Sequence, residues 1–203
     1  MRKDLDISAY LVVGPENTMG RPVSDVIAQA LRAGFTCVQI RSKECSARDL
    51  IAYTIQAADV IAAAGKSKSV ALLVDDRLDV ALAAREAGAK VDGVHVGQTD
   101  IPVEVCRKLL GPDSIVGLSA RADEMLKYVR TADMSLVDYL GVGPLHETPT
   151  KTDCGLAADG TIITKSIDDL KELVCASPVP IVVGGGVKIA DIPLVKSTGV
   201  DGF

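Results

Sequence analysis

Short, almost wholly apolar runs alternate along the whole chain with longer stretches in which Ala and Leu recur at helical spacing. The apolar runs fall at residues 9–13, 36–40, 70–74, 93–96, 115–118, 139–142 and 181–183. Each has the length of a strand and too few polar residues for one wet face, so both faces are expected to be covered. Between them, residues 23–33, 47–64, 78–87, 103–110, 122–131, 167–175 and 189–196 are expected to be helices. Ala33-Gly34, Ala64-Gly65 and Ala87-Gly88 place glycine just past three of these, where a left-handed residue closes the last turn. Strands that alternate with helices imply a parallel sheet. Seven such units, with an eighth strand beginning in Gly199-Val200-Asp201-Gly202, point to an α/β fold of the (β/α)8 TIM-barrel class rather than a doubly wound open sheet. On this reading residues 1–203 are a single barrel domain whose eighth strand and helix are cut short at the C-terminus, one domain of a longer or fused chain.

Composition narrows the function. With 48% hydrophobic and 24% charged residues the chain can bury a core and is not disordered. A net charge of −5, 3% aromatic residues and no Trp remove the basic footprint and stacking rings of a nucleic-acid binder. No apolar run approaches the roughly 20 residues of a membrane span, and the start (Met1-Arg2-Lys3-Asp4-Leu5-Asp6) turns acidic where a signal peptide turns apolar. A soluble cytoplasmic protein is expected. Cys37, Cys45, Cys106, Cys154 and Cys175 lack the close pairs of zinc or redox motifs and read as isolated thiols.

In a barrel of this class the chemistry sits at the C-terminal ends of the strands, so polar residues there carry the information. After the second run, Gln39-Ile40-Arg41-Ser42-Lys43 puts Gln39, Arg41 and Lys43 on one side, a cation pair suited to a polyanion or simply a solvated basic turn. After the third come Asp75, Asp76 and Arg77; two adjacent carboxylates there either cap the next helix or bind a cation. After the fourth, Gly97-Gln98-Thr99-Asp100 delivers another carboxylate, and three carboxylates from neighbouring strand ends form a candidate Mg2+ site, with His95 packed in the strand. The fifth run ends at Ser119, which stands in no recognisable hydrolase triad. After the sixth, Thr148, Thr150, Lys151 and Thr152 offer hydroxyl and ammonium donors to an anion from a loop that reads as a lid. After the seventh, Gly184-Gly185-Gly186 leaves room for backbone N–H groups to approach a phosphate. The balance expected is a protein acidic overall but cationic at the mouth, serving two phosphorylated small molecules and a divalent cation.

Together, Gln39-Ile40-Arg41-Ser42-Lys43, Asp76-Arg77, residues 93–100, Asp138-Tyr139-Leu140-Gly141-Val142-Gly143-Pro144, Thr148-Pro149-Thr150-Lys151-Thr152 and Gly185-Gly186 make the chain resemble the thiamine phosphate synthase (thiamin-phosphate pyrophosphorylase) family along essentially its whole length. The resemblance implies a transferase that joins 4-amino-2-methyl-5-hydroxymethylpyrimidine diphosphate to thiazole phosphate, carboxylated or not, releasing diphosphate through a dissociative, cation-like step. It implies Mg2+ as cofactor, held by Asp76 and Asp100, and the pyrimidine diphosphate held by Gln39, Arg41 and Lys43. It implies Ser119 and Lys151 as further diphosphate contacts and, with Arg41, as the catalytic groups. Thr148, Thr150, Gly185 and Gly186 belong to the thiazole phosphate side. Asp75 stands at a substrate-binding position where the family usually has Asn; its charge would repel a diphosphate unless the metal or Arg77 offsets it. Extra residues around Arg85-Glu86-Ala87-Gly88-Ala89-Lys90 are expected on the rim away from the chemistry.

Three other readings compete, one of them a generic phosphate-sugar isomerase, which the fold alone would equally allow. A thiazole tautomerase shares the barrel and the thiazole phosphate pocket but needs no diphosphate apparatus, so Arg41, Lys43, Asp76 and Asp100 argue against it. A catalytically idle phosphate-binding domain of a fused thiamine-pathway polypeptide would lack turnover. Homo-oligomerisation stays open.

Overall fold

The computed structural model describes residues 5–119, 124–147 and 161–203. The chain divides into two compact units, Arg2–Val116 and Gly117–Phe203.

The first unit contains β1 (Tyr10–Val13), α1 (Val23–Ala33), β2 (Cys37–Ile40), α2 (Ala47–Ala63), β3 (Ala71–Asp75), α3 (Leu78–Glu86), β4 (Gly93–Gly97) and α4 (Val103–Leu110), and it holds the start of β5 (Ile115–Ser119). β1 to β4 pair in chain order and in parallel. Every residue of β2 is buried, as expected of a strand covered on both faces. The helices lay one stripe each against the core: Ile27 and Leu31 from α1, Leu50, Ala57 and Ile61 from α2, Leu78, Ala81 and Ala84 from α3. The three glycines expected to close helices have positive φ (96°, 70° and 91° at Gly34, Gly65 and Gly88).

α3 starts at Arg77 with no side-chain cap. Asp75 and Asp76 therefore do not serve as its cap, and their placement needs another explanation. Arg85 donates from Nε to Val91 O (2.8 Å) and from Nη2 to Ser114 Oγ (2.9 Å), tying the residues just before β4 and β5 together. The inserted-looking segment around it thus supports the N-terminal strand ends, opposite to the ends that carry the polar motifs.

The second unit contains most of β5, then α5 (Met125–Thr131), β6 (Tyr139–Val142), α6 (Ile167–Ala176), β7 (Ile181–Val183) and α7 (Ile192–Lys196), with β5, β6 and β7 again parallel and in chain order. Tyr139 is fully buried, and its ring fills the space where a side chain at Gly117 would stand. Ser166 and Asp169 form a reciprocal cap at the start of α6.

Two sequence expectations shift here. Residues 189–196 open as a 3₁₀ turn, Ile189–Asp191, before α7. The cause is Pro193: with no N–H and a fixed φ it suits the first turn of an α-helix, so the α-helical register starts next to it. The eighth strand begins as a single parallel bridge, Val182 with Gly202, supported by Val183 N donating to Gly202 O (2.9 Å).

Cys37, Cys45, Cys106 and Cys175 are free thiols; Cys154 lies outside the described residues. Among the described residues no helix is long and apolar enough to cross a membrane.

Candidate active site

In the first unit the C-terminal ends of β2, β3 and β4 bring five charged side chains into contact. The register pairs Ile40 of β2 with Val74 of β3, so the next residues along, Arg41 and Asp75, come abreast. Arg41 Nε lies 3.0 Å from Asp75 Oδ2, with side chains 13% and 4% exposed. Two residues on, Lys43 Nζ is hydrogen-bonded to Asp76 Oδ2. Asp76 sits at φ 58°, in a three-residue turn closed by Arg77 N donating to Asp75 O (2.6 Å), while its own N–H donates to His95 O of β4 (2.7 Å). A non-glycine residue held in this region is locally unfavourable, and such positions concentrate where a side chain must be aimed.

Asp100 folds back on the end of β4 and accepts from Gly97 N at 2.7 Å. It also hydrogen-bonds Asp76. Burial alone would raise the Asp76 pKa, but the Lys43 ammonium and the bond from Asp100 outweigh it, so Asp76 lies below the ordinary carboxylate value. Burial and the bond to Asp76 push Asp100 up. The two carboxyls thus lie side by side with their affinities for a proton pushed apart, Asp76 down and Asp100 up. Two carboxyl groups held this close are hard oxygen donors that a divalent cation can take. Among the described residues no three acidic, histidine or cysteine side chains converge as a metal cluster. Of the three carboxylates read as a candidate Mg2+ site, Asp76 and Asp100 are brought together, while Asp75 pairs with Arg41. Its charge is met by Arg41, not by Arg77, which is engaged with Asp79 (2.9 and 2.6 Å).

Within this cluster two cations, Arg41 and Lys43, face three carboxyl groups, Asp75, Asp76 and Asp100. Gln39 is buried and donates from Nε2 to the Tyr10 hydroxyl (3.0 Å). Tyr10 was not among the residues singled out from the sequence; the signal was the parallel register of β1 and β2, which sets Val12 beside Gln39 and brings Tyr10 within reach.

In the second unit, Ser119 closes β5 opposite Gly141 of β6. The loop after β6 is tied to the loop after β7: Leu145 N and His146 N both donate to Gly185 O (2.9 and 3.2 Å), and His146 Nε2 lies 2.9 Å from Asp191 Oδ2. The backbone N–H of Lys188 and then His146 hold the Asp191 carboxyl below its usual value. Gly185 and Gly186 have φ of 85° and 72°, and a Cβ on Gly186 would lie 2.6 Å from His146 O. Glycine is therefore required twice over, by conformation and by close approach. Gly184 donates to Val142 O (2.9 Å), whereas the amides of Gly185 and Gly186 donate to no described backbone carbonyl. The His146–Asp191 contact had no sequence signal, since 45 residues separate the pair. Thr148, Thr150 and Lys151 lie outside the described residues.

Comparison with known proteins accords with this arrangement. Residues 9–203 match the family model described as thiamine monophosphate synthase. The chain is 39% identical over 203 residues to a thiamine-phosphate synthase of Corynebacterium efficiens, covering all of this chain and 87% of that one. It is 38% identical over 194 residues to a thiamine-phosphate synthase of Albidiferax ferrireducens, covering 96% of this chain and 80% of the relative. Among solved structures, a thiamine phosphate pyrophosphorylase from Pyrococcus furiosus superposes with a TM-score of 0.73 at 27% identity, over 97% of this chain and 83% of that one. The fold class is accordingly that of the (β/α)8 TIM barrel, as the alternation of elements predicted. A match over nearly the whole sequence and the same fold leave one conclusion: the chain belongs to the thiamine monophosphate synthase family, and it is an enzyme of thiamine phosphate synthesis.

Proposed function

We propose that this chain joins 4-amino-2-methyl-5-hydroxymethylpyrimidine diphosphate to thiazole phosphate, with or without its carboxylate, by breaking the C–O bond to diphosphate before the thiazole nitrogen bonds to the exposed carbon. The observation that carries this reading is the Lys43–Asp76–Asp100 cluster beside Arg41, in which two carboxyls lie together where a divalent cation fits.

Asp76 and Asp100 would hold Mg2+. The fit is that of a partial site: two hard oxygen donors fill a minority of the six positions such an ion demands, so substrate phosphate and water complete the shell. When bound, Mg2+ supplies positive charge to the departing diphosphate. With three carboxyl groups against two cations, the cluster offers a dianion little attraction until a cation joins it. Arg41 and Lys43 bind the diphosphate, and Gln39, oriented by Tyr10, faces the pyrimidine. Ser119 and Lys151 add donors to the leaving group. Thr148, Thr150 and the amides of Gly185 and Gly186 take the thiazole phosphate. Positioning and electrostatic stabilisation carry the rate in such a step, which accounts for a site with paired charges and no isolated general base. The four free cysteines among the described residues suit a reducing cytoplasm as the place of action.

The test is a coupled diphosphate-release assay with each substrate alone and both together. Release is expected to need both, to stop in excess chelator and to return with Mg2+. Full activity in chelator removes the metal role, and release indifferent to thiazole phosphate removes the condensation. A finer check is Thr150→Val, which takes away one hydroxyl at nearly constant shape. It is expected to raise KM for thiazole phosphate about 5- to 30-fold, the size of one hydrogen bond to a charged group. Unchanged KM and kcat would detach Thr150 from the phosphate.

A further inference from the structure

We propose that Asp75 is a positioning residue that acts through Arg41, orienting its guanidinium for the diphosphate rather than touching substrate or metal itself; this rests on the reading of Arg41 as a diphosphate ligand. Asp75 is 4% exposed and Arg41 13%, with Nε 3.0 Å from Oδ2. Nε makes no aligned hydrogen bond at that distance, so the contact is an ion pair: the buried carboxylate holds the rigid, planar guanidinium in place by charge at short range. Neither partner of a shielded ion pair can be removed without leaving the other charged and poorly solvated, so the pair behaves as a unit.

Asp75 is itself held in place. It is the last residue of β3, and its carbonyl accepts from Arg77 N across the tight turn at Asp76. The neighbouring charges have partners of their own: Arg77 with Asp79, Lys43 with Asp76, and Asp100 with Asp76 and the Gly97 amide. The β3 end therefore sends its two adjacent carboxylates to different tasks. Asp76 goes to the pair with Asp100, and Asp75 crosses to the end of β2. This division also resolves the repulsion a bare carboxylate would offer an incoming diphosphate: with Arg41 against it, the field at that corner is close to neutral, and direction comes from the guanidinium's aim.

A double-mutant cycle on the full chain tests this, using Asp75→Ala, Arg41→Ala and the double variant at saturating Mg2+. Asp75→Ala is expected to lower kcat/KM for the pyrimidine diphosphate about 30- to 100-fold in the parent. In the Arg41→Ala background it is expected to change that value less than about threefold, because the residue it acts through is gone. KM for thiazole phosphate should stay within about twofold in either background, which a general loss of structure would not allow. Asp75→Asn keeps the side chain's size without its charge and should lose about as much as Asp75→Ala in the parent and, like it, little without Arg41; this arm decides the matter if the Ala variant does not fold. Equal losses with and without Arg41, or no loss on Asp75→Ala, overturn the positioning role. The same cycle read by calorimetric binding of Mg2+ and inorganic diphosphate separates the two ideas. Coupling seen there in a chain without turnover sustains the positioning and ends the functional reading, and additive losses end the positioning alone.

Discussion

Asp76→Asn is expected to cost turnover about 1,000-fold or more while leaving the fold almost untouched. Two features of the structure make this substitution unusually selective. First, Asp76 occupies φ 58°, a region that Asn enters as readily as Asp, so the turn that joins β3 to α3 survives. Second, Asn keeps the side chain's size and one acceptor for Lys43, so what is lost is the charge. With it goes one of two carboxylates proposed to hold Mg2+, and the Lys43 ammonium, now without a counter-charge, cannot replace a divalent ion at the leaving group. The measurement is initial rate against Mg2+ concentration for parent and variant, with thermal melting alongside. A melting temperature within a few degrees of the parent and a collapsed rate at every Mg2+ concentration is the expected pair of results. Activity within tenfold of the parent would remove Asp76 from the metal site. Asp76→Ala is a poorer test, because alanine at this φ adds backbone strain of its own.

Gly14→Ala is expected to damage stability and activity together, for a reason of space rather than conformation. Gly14 directly follows β1, and its φ of −158° is extended backbone open to any residue. An added Cβ, however, would fall well inside the van der Waals shell of the Arg41 carbonyl oxygen and 2.9 Å from Glu16 Oε2. The carboxylate can swing away; the carbonyl cannot, because it belongs to the backbone at the end of β2. The strands must part at this point, and the bond from Arg41 N to Val13 O (2.9 Å) is the first to suffer. Overpacking of this kind costs about 1 to 3 kcal/mol or more when the obstacle is backbone. Since Arg41 itself has to move, its pairing with Asp75 moves with it, and a rate loss of about 100-fold is expected at temperatures where the variant is still folded. Urea unfolding and kcat/KM for the pyrimidine diphosphate check the two halves. A variant as stable as the parent would mean that the β1 and β2 ends separate without cost.

Much of this protein is legible in the order of its residues. Runs such as Ala71-Leu72-Leu73-Val74, apolar and too short for a buried helix, announce covered strands; β3 occupies Ala71–Asp75. The 23–33 and 103–110 stretches became α1 and α4 without adjustment, since apolar spacing and flanking residues speak locally. Pro193 shows the limit of even local reading: its effect on α7 depends on where in the first turn it falls. That the polar residues after β2, β3 and β4 gather at one end of their unit follows from topology alone, because parallel strands deliver their C-terminal ends to the same side.

What the sequence left open was who pairs with whom. Arg41 could have met Asp76, Asp100 or solvent, and Asp75 could have met Arg77. The choice was made by the register of β2 on β3, with Ile40 opposite Val74, which sets Arg41 beside Asp75 and leaves Lys43 for Asp76. A strand's apolar pattern specifies which face is buried but says nothing of which neighbour's end it reaches, and a different stagger would redistribute every charge at the mouth. The left-handed turn at Asp76, which turns two consecutive carboxylates onto different partners, is likewise invisible in a string that reads Asp-Asp. Charge type and location along the chain are properties of the sequence. Charge balance, the opposite shifts of Asp76 and Asp100, and the aim of Arg41 arise only when separate strand ends are brought within a few ångströms, because electrostatic coupling falls with distance and rises with burial, and the fold alone sets both.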